Sequence, residues 1–422
     1  MDRFIGLIGI AVIFLICYAL SNNRKAINYK TVGIGFALQI SLAIFIFKVP
    51  IGQKLFMIIG EFINKIIDFA YEGGGFVFGP LLNNTKLAEV FSDQTSIFAL
   101  QLICSMIFMM VLVNILYYYG IMQRVVAVLG KAMNKLMHVS GAEALSNVAS
   151  AFVGQIVAQI MIKPYLEKLT RSELLASMSG SLACLSGAIM PIYIGMGIPA
   201  HYILASSVMA VPGALILAKI VYPETGEPET RDNIKISKRR TFINVFEAIS
   251  NGASDGMKVA INVTAMILAL VALVAFIDWT LRLTGGFLYN TIPGFAHFGF
   301  LPNLSMGYIL GKIFAIFAVI LGVPLHDAST VGTLMGTKLV INEMVAYVQL
   351  SNIASTLADK SFMIASFALC SFGNFGSIAI LIGGIGELAP NQRKNIARLS
   401  VRALICGTLS CYLSAAIVGV LL

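Results

Sequence analysis

The chain has 422 residues, of which 58% are hydrophobic and 12% charged, with a formal charge of +9. A soluble domain of this size carries about 25% charged residues, so the composition excludes an ordinary water-soluble protein and points to an all-α polytopic membrane protein. Basic cytoplasmic loops account for the positive balance, and no nucleic-acid partner is read from it.

In chain order, residues 4–20 form the first expected span. No small-residue cleavage site follows it, and "SNNRKAINYK" does, so it reads as a retained helix rather than a signal peptide. A second span is expected at 32–47, then an interfacial or extracellular segment over 50–95, and a third span at 96–121. Arg124, Lys131 and Lys135 read as a cytoplasmic loop. The next segment, Glu143–Met161, is flanked by basic clusters on both sides, so it has to enter and leave by one face. That describes a re-entrant hairpin with its tip at Gly154-Gln155. Helices at 174–198 and 202–222 lead into a polar cytoplasmic linker, 223–256, and a long helix at 257–284. Residues 305–347 are too irregular for one span. Broken by "GVPLHD" and "GTLMGTK", they read as a second hairpin entering from outside. Helices at 361–386 and 396–421 complete about eight transmembrane helices plus two opposed hairpins, in the cytoplasmic membrane with both termini outside.

The halves resemble each other. "GQIVAQ" at 154–159 matches "NEMVAY" at 342–347, and "ASMSGSLACLSG" at 176–187 matches "ASFALCSFGNFG" at 365–376. Opposite loop charges make this an inverted repeat, an architecture that puts substrate near the midplane where broken helices meet.

Backbone polar groups in hydrocarbon need partners, so a broken helix persists where it lines a polar cavity or is buried in protein. An ionisable residue at that depth is functional by default. Glu343 and Asn342 in the second hairpin, Asn374 and Ser377 with Phe372 and Phe375 in the following helix, and Gln155 in the first hairpin form the candidate set. A carboxylate, amides, a hydroxyl and aromatic faces suit a neutral polyhydroxylated ligand with a planar part. A structural role for Glu343 would require a buried partner such as Lys338, which could instead snorkel to an interface. Enzyme signatures are thin. The four histidines show no metal-ligand spacing, "LHDAS" cannot converge as a triad, and "GGIGELAP" follows no strand and precedes no Walker lysine. The six cysteines suggest neither disulfide nor metal. No cofactor is expected, so an ion gradient, proton or sodium, has to drive uphill transport.

"EGGGFVFG", "LYYYGIMQ", "SGAEALS", "KPYL", "VMAVPGALILAKIVYPET", "GTKLVINEMVAY" and "FALCSFGNFGSIAILIGGIGELAP" follow one another in this order. Their sequence is similar to that of the concentrative nucleoside transporter family, from about residue 20 to the end. The resemblance implies a homotrimer, with substrate moved by an elevator-like transport domain. Residues 1–122 and 257–300 would form the scaffold, and 123–222 and 301–422 the two transport-domain repeats. Ribose ligands of the family match Glu343, Asn374 and Ser377; Phe372 matches an aromatic near the base, and Gln155 a base-contacting residue. Where relatives carry Gly-Gln-Thr-Glu, this chain has Gly154, Gln155, Ile156 and Val157, so Ile156 and Val157 offer the base only an apolar wall. The family's sodium positions read Ser150 and Cys184, with carbonyls at Val153 and Leu185. A thiol in place of a hydroxyl is a poor ligand for a hard cation. Proton coupling through Glu343 is therefore expected, with base choice moved toward purines; sodium coupling, facilitated diffusion and a non-transporting receptor are the alternatives.

Overall fold

Long apolar runs punctuated by Gly, Pro, Asn and Ser fold into helices joined by tight turns. A computed structural model describes residues 2–83, 97–231, 242–292 and 299–421, together with 86, 87, 89, 294 and 297. Among them the protein is all-helical. The first half comprises α1 (Asp2–Ala19), α2 (Tyr29–Phe47), α3 (Pro50–Phe78), α4 (Phe98–Tyr118), α5 (Ile121–Met137), α6 (Gly141–Val153), α7 (Gln155–Met161), α8 (Lys163–Leu166), α9 (Arg171–Ala183), α10 (Met190–Gly195) and α11 (Ala200–Val221). The second comprises α12 (Val245–Thr291), α13 (Met306–Ile320), α14 (Leu325–Val340), α15 (Glu343–Ile353), α16 (Asp359–Leu369), α17 (Phe375–Leu388) and α18 (Arg393–Leu421). Five described helices, α2, α4, α11, α12 and α18, are long and apolar enough to cross a bilayer.

Several expected boundaries move. The basic stretch after α4 is a helix, α5, and not a loop: its apolar residues recur at helical spacing while Arg124, Lys131 and Lys135 lie among exposed positions or beside them. The segment 50–95 contains the 29-residue helix α3, with Pro50 at its first turn, where a missing N–H costs nothing; most of 84–96 lies outside the described residues. Residues 305–347 are not one hairpin. A bend of 118° around "GVPLHD" separates α13 from α14, and "GTLMGTK" sits unbroken within α14. The hairpin is α14 and α15, with its tip at Ile341-Asn342. The helix expected at 257–284 already begins at Val245, inside the expected linker, whose basic residues 232–241 lie outside the described set.

The two halves run through the same elements in the same order: a lone helix (α5, α13), a two-armed hairpin (α6–α7, α14–α15), a broken helix (α9–α10, α16–α17) and a long helix (α11, α18). The long helices α11 and α18 pack on each other and form the buried centre, whereas only 6% of the most apolar window of α12 is buried, mostly against α4. Both α6 and α9 open with a full capping box, Ser140 with Glu143 and Thr170 with Glu173, which fixes where each arm starts. Glu143 is also held by Lys219 Nζ at 2.7 Å, which ties the foot of the first hairpin to the end of α11.

Candidate functional site

Each hairpin tip meets the helix break of its own half, and local geometry explains each one. Gly154 has φ 93° and ψ 170°, a conformation L-residues rarely adopt, and a Cβ there would lie 3.1 Å from Ser186 Cβ. The Gly187 N–H donates to Phe152 O at 3.0 Å, docking the first tip onto the break between α9 and α10. Gln155 opens α7. Its backbone carbonyl accepts from Ser181 Oγ at 3.3 Å, while its side-chain Oε1 is buried with no hydrogen-bond partner. Ile156 packs over Gly384 of α17, where even a Cβ would overlap its Cδ1. Val157 is exposed.

At the second tip, Asn342 caps α15 by accepting from Val345 N–H at 2.9 Å, and its side-chain nitrogen is buried without a partner. Glu343 follows and is 6% exposed. Its Oε1 accepts from Tyr193 Oη–H at 3.3 Å and its Oε2 from Asn374 Nδ2 at 3.0 Å. Asn374 in turn caps α17, accepting from Ser377 N–H at 2.8 Å. Glu343 and Asn374 thus sit at the starts of two helices, where unpaired N–H groups and the helix dipole favour negative charge. Ser377 and Phe372 are buried beside them, and Phe375 is half-exposed.

Glu343, Asn374 and Ser377 therefore come together directly, while α7, which Gln155 opens, touches α17 at Ile156 and Gly384, beyond Ser377. The positions expected for a sodium site gather behind the first tip. Ser150 Oγ donates to Ser146 O at 2.7 Å and lies 3.2 Å from Ser181 Oγ. Cys184 is fully buried with its Sγ 3.7 Å from Ser207 O; Val153 ends α6, and Leu185 lies in the break after α9. Gln159, also fully buried, donates to Ser181 Oγ at 2.8 Å and accepts from Ser177 Oγ at 2.9 Å. Neutral hydroxyls and amides thus satisfy one another across this junction.

Sequence reasoning assigned no role to Tyr193, to Tyr347, whose ring lies tilted against it at 4.5 Å between centroids, or to Gln159. Tyr193 lies 150 residues before Glu343, so no local pattern links them. Lys338 does not snorkel. It is fully buried.

Three family descriptions cover most of the chain: "Na+ dependent nucleoside transporter N-terminus" over residues 8–81, "Nucleoside recognition" over 99–200, and "Na+ dependent nucleoside transporter C-terminus" over 202–419. The chain is 38% identical to the nucleoside permease NupC of Helicobacter pylori over 98% of this chain and 96% of that one. The chain belongs to the concentrative nucleoside transporter family. This nucleoside transporter is thus a helical membrane protein of a family of carriers, not enzymes. It is 31% identical to the sodium/nucleoside cotransporter 2 of Rattus norvegicus, covering 63% of that longer protein. Its fold matches CNTnw in an inward-facing substrate-bound state with a TM-score of 0.92 at 38% identity, over 100% of this chain and 98% of the other.

Proposed function

We propose that this transporter is a secondary active importer of nucleosides across the cytoplasmic membrane, with ribose held by Glu343, Asn374 and Ser377 and the base by Gln155. The observation that carries this is the Glu343–Asn374 pair, joined at 3.0 Å across two helix starts; at the first tip the Gln155 amide oxygen is buried and unpaired. A carboxylate and an amide accept and donate to vicinal hydroxyls, and an orphaned buried acceptor gains most from a ligand N–H. Phe372 and Ile156 line the base side, and Val157 adds apolar surface there once the ligand is in place. Without the threonine and glutamate of relatives, the base pocket favours a larger, stackable purine.

The same reading gives eight spans (α1, α2, α4, α9–α10, α11, α12, α16–α17 and α18) around two re-entrant hairpins in an inverted repeat. Both termini lie outside. Three copies assemble through their scaffolds, and each transport domain moves by an elevator motion. Coupling is to protons, with Glu343 as the titrating group. Supporting this, Ser150 has its hydrogen committed to Ser146 O, and position 184 offers sulfur in place of a hard oxygen. A second reading, sodium coupling, draws on the descriptions that match the chain. Counterflow of labelled uridine and adenosine in proteoliposomes, with pH and sodium varied independently, decides between them. Uptake rising with an inward proton gradient and indifferent to sodium is expected. A strict sodium requirement overturns proton coupling, and binding without any uptake overturns transport.

A further inference from the structure

Lys338 is the fully buried ammonium of the second hairpin, and neither ribose nor base recognition as described above uses it. It lies in the first arm, α14, with no exposed surface. Its Nζ donates to Ala368 O at 3.0 Å, next to the last residue of α16, where carbonyls have no intrahelical partner. The ring of Tyr412 on α18 lies 5.6 Å from Nζ. Among the described residues, the titratable groups that act on it electrostatically are Cys411, Glu343 and Cys370, and of these Glu343 is the carboxylate. A buried ammonium with so few partners is costly inside a membrane protein, and a neutral residue would spare that cost.

The internal repeat gives this lysine a meaning. Gln155 and Glu343 occupy the same place in the two halves, each the first residue of a second hairpin arm. The same offset carries Ser150 onto Lys338. Their contacts correspond as well. Ser150 reaches Ser181 near the end of α9, and Lys338 reaches Ala368 near the end of α16. One repeat thus has a neutral hydroxyl at this junction and the other a covalently attached cation.

We propose that Lys338 is a tethered cation that fixes the first arm of the second hairpin to the end of α16 and balances the charge of Glu343, thereby positioning that carboxylate for ribose. It is a positioning residue, and the proposal rests on the reading of Glu343 as the ribose ligand. The test uses the full chain in lipid nanodiscs, with binding of labelled uridine and adenosine measured by scintillation proximity. Wild type binds and Glu343→Gln binds tenfold to a hundredfold more weakly if the site reading is right; a wild type that binds neither nucleoside overturns that reading and this proposal together. With those two controls as stated, Lys338→Met is expected to weaken binding at least tenfold. Lys338→Ala is expected to recover at least threefold on adding propylammonium, which refills the void with charge, and not on adding 1-propanol, which refills it without. Lys338→Met within twofold of wild type overturns the proposal alone, as does equal rescue by 1-propanol. Should Lys338→Met fail to fold, Tyr412→Leu decides. It removes the ring beside the ammonium without stranding a charge, and about threefold weaker binding is expected; unchanged affinity overturns the proposal.

Discussion

Glu343 and Gly154 show how differently single residues act at this site. Glu343 is the proposed ribose ligand, and its oxygens are held by hydrogen bonds from Tyr193 and Asn374. Glu343→Gln keeps the shape but removes the charge, and hydrogen bonds to charged groups contribute about 1.5–3 kcal/mol. Uridine affinity should fall tenfold to a hundredfold in equilibrium binding, with the midpoint of thermal unfolding little changed. Gly154 touches no ligand in this reading; it lets the chain turn. Gly154→Ala forces φ 93° on a residue with a Cβ and presses that atom toward Ser186, a strain of about 1–3 kcal/mol. Uptake and unfolding temperature should fall together, unlike in Glu343→Gln. Both residues stood out in the sequence: a carboxylate is rare in an apolar run, and Gly154 is followed by an amide, Gln155, that interrupts one. Tyr193 and Lys338 were harder to read. A tyrosine among apolar neighbours looks like packing, and a lysine near a helix end has a cheap alternative at the interface. Only the fold, which closes α16 and α18 around Lys338, removes that alternative.

Between elements, the seam of α7 and α17 joins the two repeats. Ile156 lies where a side chain on Gly384 would go. Gly384→Ala should therefore impair uptake, and adding Ile156→Ala should restore part of it. A coupling energy near zero in that double-mutant cycle would deny the contact. At the foot of the first hairpin, Lys219 and Glu143 form a buried pair with side chains 9% and 1% exposed. Removing one partner of such a pair costs about 3–5 kcal/mol. Lys219→Met should lower the unfolding temperature markedly, with Lys219→Met/Glu143→Gln recovering most of the loss. The helix break at Gly154 was legible because a Gly-Gln pair interrupts an apolar run there; the bounds of the second pair of arms, expected over 305–347, were not. The amphipathic helix α5 was not legible, since basic residues on a surface helix and in a loop give the same charge count. "GTLMGTK" misled for a related reason: two glycines resemble a break, yet Gly332 and Gly336 are where α14 comes closest to α13.

Across the whole molecule, the repeat is the most informative feature. The short likeness of "GQIVAQ" to "NEMVAY" marks the two tips, and the elements around them recur in one order. In the proposed reading, the positions expected to depart from the family pattern, Ser150, Cys184 and the pair Ile156-Val157, all lie in the first repeat, while Glu343, Asn374 and Ser377 lie in the second. The proposal thus divides recognition of the sugar from choice of base or ion between the two halves. The most direct test is competition against labelled uridine uptake into proteoliposomes by nucleosides and by their free bases. Ribose anchoring at Glu343, Asn374 and Ser377 predicts strong competition by adenosine, guanosine and cytidine and at least a hundredfold weaker competition by adenine, guanine and cytosine. Free bases competing as well as their nucleosides would contradict it.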